Sequence, residues 1–217
     1  MRNILTLSLL LASTPLWAAP IQVLSSFSIL GDVAQQIGGE RVAVQSLVGA
    51  NQDAHAYNLT SSDIKKIREA RLVLLNGLGL EKAELQRAVK QSKVASAEAT
   101  AGIKPLATDE HHHEHDHGHD HDHGEFDPHV WNDPVLMQRY AANVAIALIK
   151  ADPAGSRYYQ QRFKDYQNVL NQLNNYANQQ FGAVAPAKRK VLTGHDSFAY
   201  LGKRYQVKFL SPQGVRS

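Results

Sequence analysis

Short apolar runs alternate with stretches of helical periodicity from residue 21 onward, and that alternation limits the chain to very few folds. Ile21–Phe27, Val42–Val48 and Leu72–Leu75 read as strands, with a shorter one at Val94–Ala97. Between them lie an amphipathic helix over Ser28–Ile37 closed by Gly38-Gly39, a helix capped by Thr60-Ser-Ser-Asp63 and running to about Ala70, and a third over Glu81–Gln91. Strands separated by single helices at this spacing form parallel α/β sheets. Pro134–Ala151 reads as a further helix, interrupted at Asp152-Pro153. Proline suits a first helical turn, so Asp152 is expected to cap a second helix running to about Phe181, roughly 42 Å long at about 1.5 Å per residue. Lys190–Thr193, Ser197–Lys203 and Val207–Leu210 then read as strand, helix and strand. Two parallel strands cannot bury both faces or satisfy their edges, so this second α/β unit is expected to be incomplete at Ser217.

One segment cannot join any core. Asp109–Gly124 reads DEHHHEHDHGHDHDHG, with His111, His112, His113, His115, His117, His119, His121 and His123 set among carboxylates. It has no apolar residue to bury and is expected to be a disordered loop. Neutral imidazoles attract Zn(II) and similar ions, and neighbouring carboxylates add hard oxygen donors. The repetition specifies no single geometry, so the expectation is an auxiliary loop that binds several ions weakly. An expression tag would sit at a terminus and would not be interleaved with Asp and Gly.

Residues 1–19 have the layout of a secretory signal: Arg2, an apolar core from Ile4 to Ala12, and small residues around Ala18-Ala19. The stretch is too short for a stable membrane span, and no later segment is apolar for long enough. The chain contains no cysteine, which removes disulfides, thiolate metal sites and a cysteine-linked lipid anchor. The expected product is a soluble, unanchored periplasmic protein, a monomer without stable membrane insertion after signal cleavage.

The net charge of +3 conceals an asymmetry. Residues 108–127 hold eight of the 20 acidic groups and no base, leaving 23 bases against 12 acids elsewhere. Lys65, Lys66, Arg68 and Arg71, like Lys82, Arg87, Lys90 and Lys93, are spread along helical stretches without interleaved aromatics. That pattern suits a solvated surface and argues against a nucleic-acid partner.

Three histidines lie outside the tract: His55, His129 and His195, each in a loop and each near an aspartate, Asp53, Asp127 and Asp196. Loops at strand C-termini form the binding crevices of open α/β sheets, and three imidazoles meeting there supply most of a tetrahedral zinc site. A single loop histidine is more often structural than a ligand. The aspartates can act as acceptors that orient imidazoles or as turn and cap residues.

Five segments together resemble the zinc/manganese solute-binding proteins of ABC transporters, the ZnuA/TroA-like family. They are Asp53-Ala-His55-Ala-Tyr57, Ser62-Asp63-Ile64, Leu75-Asn-Gly-Leu-Gly-Leu80-Glu81, Asp127-Pro-His129-Val-Trp131-Asn-Asp-Pro134 and Thr193-Gly-His195-Asp-Ser-Phe-Ala-Tyr200-Leu-Gly-Lys. The resemblance covers the mature chain in order. It implies a two-lobed α/β metal-binding fold with parallel sheets: a signal at 1–19, an N-terminal lobe at 20–151, one long connecting helix at 152–182, and the start of a truncated C-terminal lobe at 183–217. It places three metal ligands on His55, His129 and His195, with a fourth beyond Ser217, and a histidine-rich loop before the second ligand is similar to zinc-importing members.

The implied function is capture of Zn(II), with Mn(II) as the second candidate, and delivery to the membrane permease of an ABC importer, with no reaction catalysed. Two other functions fit part of the pattern. A secreted zinc hydrolase also uses three histidines and a water, but the chain has neither a His-Glu-x-x-His helix nor a nucleophile elbow. A periplasmic metal buffer or chaperone would depend on the tract at residues 109–124.

Overall fold

The computed structural model describes residues 18–108 and 126–210. All but the last two residues of the signal, the whole histidine tract at 109–124 and the closing Ser211–Ser217 lie outside the described residues.

Four parallel strands, β1 (Ile21–Phe27), β2 (Val42–Val48), β3 (Leu72–Leu75) and β4 (Ser96–Glu98), form a sheet in the order β2-β1-β3-β4. Side chains alternate between its faces, as period-2 geometry requires. Val23, Val42, Val48, Leu72 and Leu74 enter one core beneath α1 (Ser28–Gly38), α4 (Pro134–Ala151) and the first half of α5 (Ser156–Gly182). Leu24, Leu47, Val73 and Leu75 enter a second core with Ile67 of α2 (Ser61–Glu69) and Leu85 and Val89 of α3 (Ala83–Ser92). The apolar runs are nearly continuous because both faces of the sheet are covered.

The strand order reverses direction at β1, so the C-terminal ends of β1 and β3 flank a topological switch point. Phe27 and Asn76 lie there.

A second pair of parallel strands, β5 (Lys190–Leu192) and β6 (Lys208–Leu210), is joined by α6 (Ala199–Tyr205). The 27-residue α5 links the two sheets. Tyr159 and Leu170 bury against the first lobe, while Tyr205 of α6 stacks on Phe181 at 5.2 Å and donates its hydroxyl to Asn174 Oδ1 at 2.9 Å. Val169, Leu173 and Tyr176 are exposed on α5, as are Val191, Leu192 and Leu210 on the small sheet. Among the described residues no helix is long and apolar enough to cross a membrane.

Two local expectations are corrected. Asp152 does not cap α5. Its carboxylate takes a forked pair of hydrogen bonds from Arg41, at 2.8 and 3.0 Å, and one from the Tyr159 hydroxyl at 2.6 Å, while Pro153–Gly155 forms a 3-10 turn before the helix begins at Ser156. The Arg41 bond, opposed by partial burial, holds the Asp152 carboxyl below its ordinary range. Gly155 is required there, because a Cβ would lie 2.3 Å from Arg41 Nε. Likewise α3 starts at Ala83 rather than at Glu81, whose side chain turns back to the end of β3.

Candidate metal centre

Three loops carry the three histidines, and each is pinned by its own polar contacts. The loop after β2 folds back through the Asp53 carboxylate, which accepts the backbone N–H of His55 at 2.8 Å. Two residues on, the Tyr57 hydroxyl donates to Asp63, which also closes a reciprocal cap with Thr60 at the start of α2. Burial raises the pKa of the Asp63 carboxyl, but hydrogen bonds from Thr60 and Tyr57 and the nearby Lys66 outweigh it and hold the group below its usual value. Burial and that carboxylate push the Tyr57 phenol up. The Tyr57–Asp63 bond thus joins the His55 loop to a helix.

His129 is buried, 6 % exposed, and sits against Trp131, which in turn packs on Phe27 at the end of β1. Asp127 Oδ1 accepts two hydrogen bonds from His129, one from the backbone N–H at 2.9 Å and one from ring Nδ1 at 2.6 Å. A proton on Nδ1 leaves Nε2 with a free lone pair, so the carboxylate selects the tautomer that can bind a cation through Nε2. Asp133, four residues on, caps α4 through the N–H groups of Val135 and Leu136.

His195 follows β5 and comes from the other lobe. Three side chains tie that lobe to the His129 loop. Asn132 Nδ2 donates to the carbonyl of Ser197 at 2.7 Å, and the Tyr200 hydroxyl donates to the carbonyl of Asp127 while accepting from Leu106 N–H at 3.0 Å. Arg204 Nε reaches both oxygens of Asp133 at 3.0 and 2.9 Å.

These loops bring His55, His129 and His195 together. Each offers a ring nitrogen, and the three nitrogens lie within 4.8 Å of one another. His55 Nε2 and His129 Nε2 are 3.1 Å apart, and the three rings have centroids 5.1, 5.4 and 5.6 Å from each other. Two ligands of a tetrahedral Zn(II) at about 2.0–2.1 Å are separated by about 3.4 Å, so the His55–His129 pair already has a ligand spacing. At 3.1 Å those nitrogens hold either a proton or a cation between them. His55 and His195 are exposed and His129 is buried, which gives the cluster a closed floor and an open mouth.

Of the acidic neighbours, Asp127 contacts the imidazole itself and Asp53 the backbone of its histidine, while Asp196 is an exposed residue beside His195. The eight tract histidines lie outside the described residues. Asn76, Asn132, Tyr57 and Tyr200 were not expected at the site. The two asparagines and Tyr200 join segments more than 50 positions apart, a pairing with no local signature.

Residues 23–217 match the family model described as zinc-uptake complex component A, periplasmic (ZnuA). The manganese-binding lipoprotein MntA of Bacillus subtilis is 32% identical over 199 residues, which are 90% of this chain and 61% of MntA. The iron-binding protein YfeA of Yersinia pestis is 30% identical, covering 88% of this chain and 58% of that one. Among solved structures, the Mn-bound periplasmic metal-binding protein of Candidatus Liberibacter asiaticus aligns with a TM-score of 0.75 at 31% identity, covering 91% of this chain and 71% of the other. The periplasmic zinc-binding protein TroA of Treponema pallidum gives 0.78 at 25%, covering 88% and 66%. The chain spans about three fifths of the length of its curated relatives. With nine tenths of its residues under one family model and a fold shared with known metal-binding structures, the chain belongs to the periplasmic zinc-uptake component A family.

Proposed function

We propose that this chain is the periplasmic receptor of a metal importer: it captures Zn(II), with Mn(II) as the alternative cargo, on His55, His129 and His195 and passes it to a membrane permease. The observation that carries this reading is the meeting of three imidazoles from three loops and both lobes, one of them fixed in its metal-binding tautomer by Asp127. Relatives named for manganese, iron and zinc binding support a receptor over a secreted hydrolase. They also differ in metal, and three nitrogen donors favour zinc.

Export rests on the signal at residues 1–19. Several relatives are lipoproteins; for this chain the reading is a free periplasmic monomer with no nucleic-acid partner. The lobes divide at residues 20–151 and 183–217, with 152–182 as the connection. The tract at 109–124 is an auxiliary ligand set whose ions bind more weakly than the one in the cleft, because its repeated histidines and carboxylates specify no single geometry.

Chelator-competition titration tests both parts. Deleting residues 109–124 is expected to lower the zinc stoichiometry and leave one tight site, and His129→Ala in the full chain to remove that site. Loss of tight binding on deletion, with survival in His129→Ala, would instead make the tract the functional element and the protein a metal buffer.

A further inference from the structure

Asn76 directly follows β3 at the switch point and is fully buried. Its polar atoms reach five different parts of the first lobe. Nδ2 donates to the carbonyls of Gly77 at 3.0 Å and of Pro128 at 3.1 Å, and Oδ1 accepts from the Tyr140 hydroxyl of α4 at 2.9 Å. Its backbone N–H goes to the carboxylate of Glu81, and its carbonyl accepts from both the N–H and the hydroxyl of Thr100. The amide has one workable orientation, since the reverse would set Oδ1 against two carbonyls that cannot donate.

The bond to Pro128 matters because that carbonyl belongs to the peptide leading into His129. The Pro128–His129 peptide is a rigid plane with two polar atoms. Asn76 holds its oxygen, and Asp127 holds its N–H at 2.9 Å. A plane held at both polar atoms cannot rotate about the chain axis, so the position of the His129 Cα is fixed and only φ is left to aim its Cα–Cβ bond. Asp127 then fixes the ring. Glu81, itself buried, steadies the other side by accepting from Ser26 and from the N–H groups of Asn76 and Gly77.

We propose that Asn76 is a positioning residue of the metal site, which sets the placement of His129 through the Pro128 carbonyl without touching the ion. The inference rests on the reading of His55, His129 and His195 as ligands. It assigns a task in metal binding to a buried residue 52 positions away from Pro128 in sequence.

The test is Asn76→Asp in the full chain, with Co(II) as the probe because its visible absorption reports ligand geometry. Aspartate keeps the shape and replaces the amide donor with an oxygen facing two carbonyls. Co(II) affinity is expected to fall at least about 10-fold, with a weakened and shifted visible band, by the scale of lost orienting contacts at metal sites. Val89→Ala, in the core on the opposite face of the sheet, is the stability control: it lowers the melting temperature and leaves the Co(II) spectrum unchanged. Tyr140→Phe removes the donor to Oδ1 at nearly constant volume and is expected to shift the band in the same direction with a smaller loss of affinity. It decides the question if Asn76→Asp does not fold. Wild-type Co(II) affinity and spectrum in Asn76→Asp, or in Tyr140→Phe when that is the folded variant, overturn the proposal. A wild-type chain that binds no Co(II), or binds it unchanged after His129→Ala, overturns the ligand assignment and the proposal with it.

Discussion

Replacing Asp127 with alanine isolates the contribution of an orienting carboxylate to a metal site. Its Oδ1 accepts from both the N–H and the Nδ1 of His129, so the substitution removes two hydrogen bonds to one residue and a negative charge 2.6 Å from the ring. Without Asp127 the imidazole is free to carry its proton on Nε2, the nitrogen that faces His55 at 3.1 Å. That tautomer must convert before an ion can bind. If both tautomers became equally populated, affinity would drop by only about twofold. Loss of ring orientation is the larger effect, and comparable partners of zinc-bound histidines contribute about 10- to 100-fold in affinity. That range corresponds to about 1.4–2.7 kcal/mol. Asp127→Asn keeps an acceptor at the same place and loses only the charge, so it is expected to fall between wild type and Asp127→Ala. Chelator competition at pH 7.5 measures all three proteins, with circular dichroism to confirm that each is folded. A folded Asp127→Ala protein with wild-type zinc affinity would refute the argument, because the carboxylate would then be a turn residue only.

Three further outcomes are expected. Zinc affinity should fall steeply between pH 7.5 and 5.5, through the range where free imidazole protonates, in competition titrations; equal affinity at both values would indicate a carboxylate-dominated site. The Arg41–Asp152 pair should be fully stabilising above about pH 3.9, the unfolded aspartate value, and its contribution should be lost as pH falls through the depressed folded-state value. Arg41→Ala should therefore lower urea stability at neutral pH and narrow its gap to wild type in acid, and a gap independent of pH would contradict this. Gly77→Ala should destabilise the fold by more than about 1 kcal/mol, because φ is +86° and a Cβ would lie 2.6 Å from Thr100 Oγ1; a thermal melt identical to wild type would show that the turn relaxes.

Most elements could be read from the chain because their signals are local. β1, β2 and β3 lie where apolar runs are bounded by helix starts, and Pro134 marks the first turn of α4 after its Asp133 cap. Local rules failed where a side chain answered to a distant partner. Asp152 has the look of a helix cap, yet Arg41, 111 positions earlier, takes its carboxylate. Glu81 suits a helical first turn, yet its carboxylate accepts from Ser26, 55 positions earlier, as well as from the backbone of Asn76 and Gly77. The three histidines were visible as candidates, and the choice among the neighbouring aspartates was not, because whether an aspartate meets a ring or a backbone N–H depends on loop geometry that spacing does not encode. The same holds for Asn132 and Ser197, which join the lobes across 65 positions.

The long helix also acts as a cantilever. One end of α5 is fixed by Tyr159 in the first core and by the Arg41–Asp152 pair beside it, and the other carries the small sheet through Phe181 and Tyr205. Leu170 also sits in that core, so the free span runs from there to Gly182, about 18 Å, and a tilt of about six degrees moves its end by about 2 Å. That is the length of one zinc–nitrogen bond. A deflection smaller than ordinary helix bending therefore spans the difference between a nitrogen in contact with a cation and one out of reach. The hydrogen bonds of Asn132, Tyr200 and Arg204 between the lobes hold the far end of the beam in place.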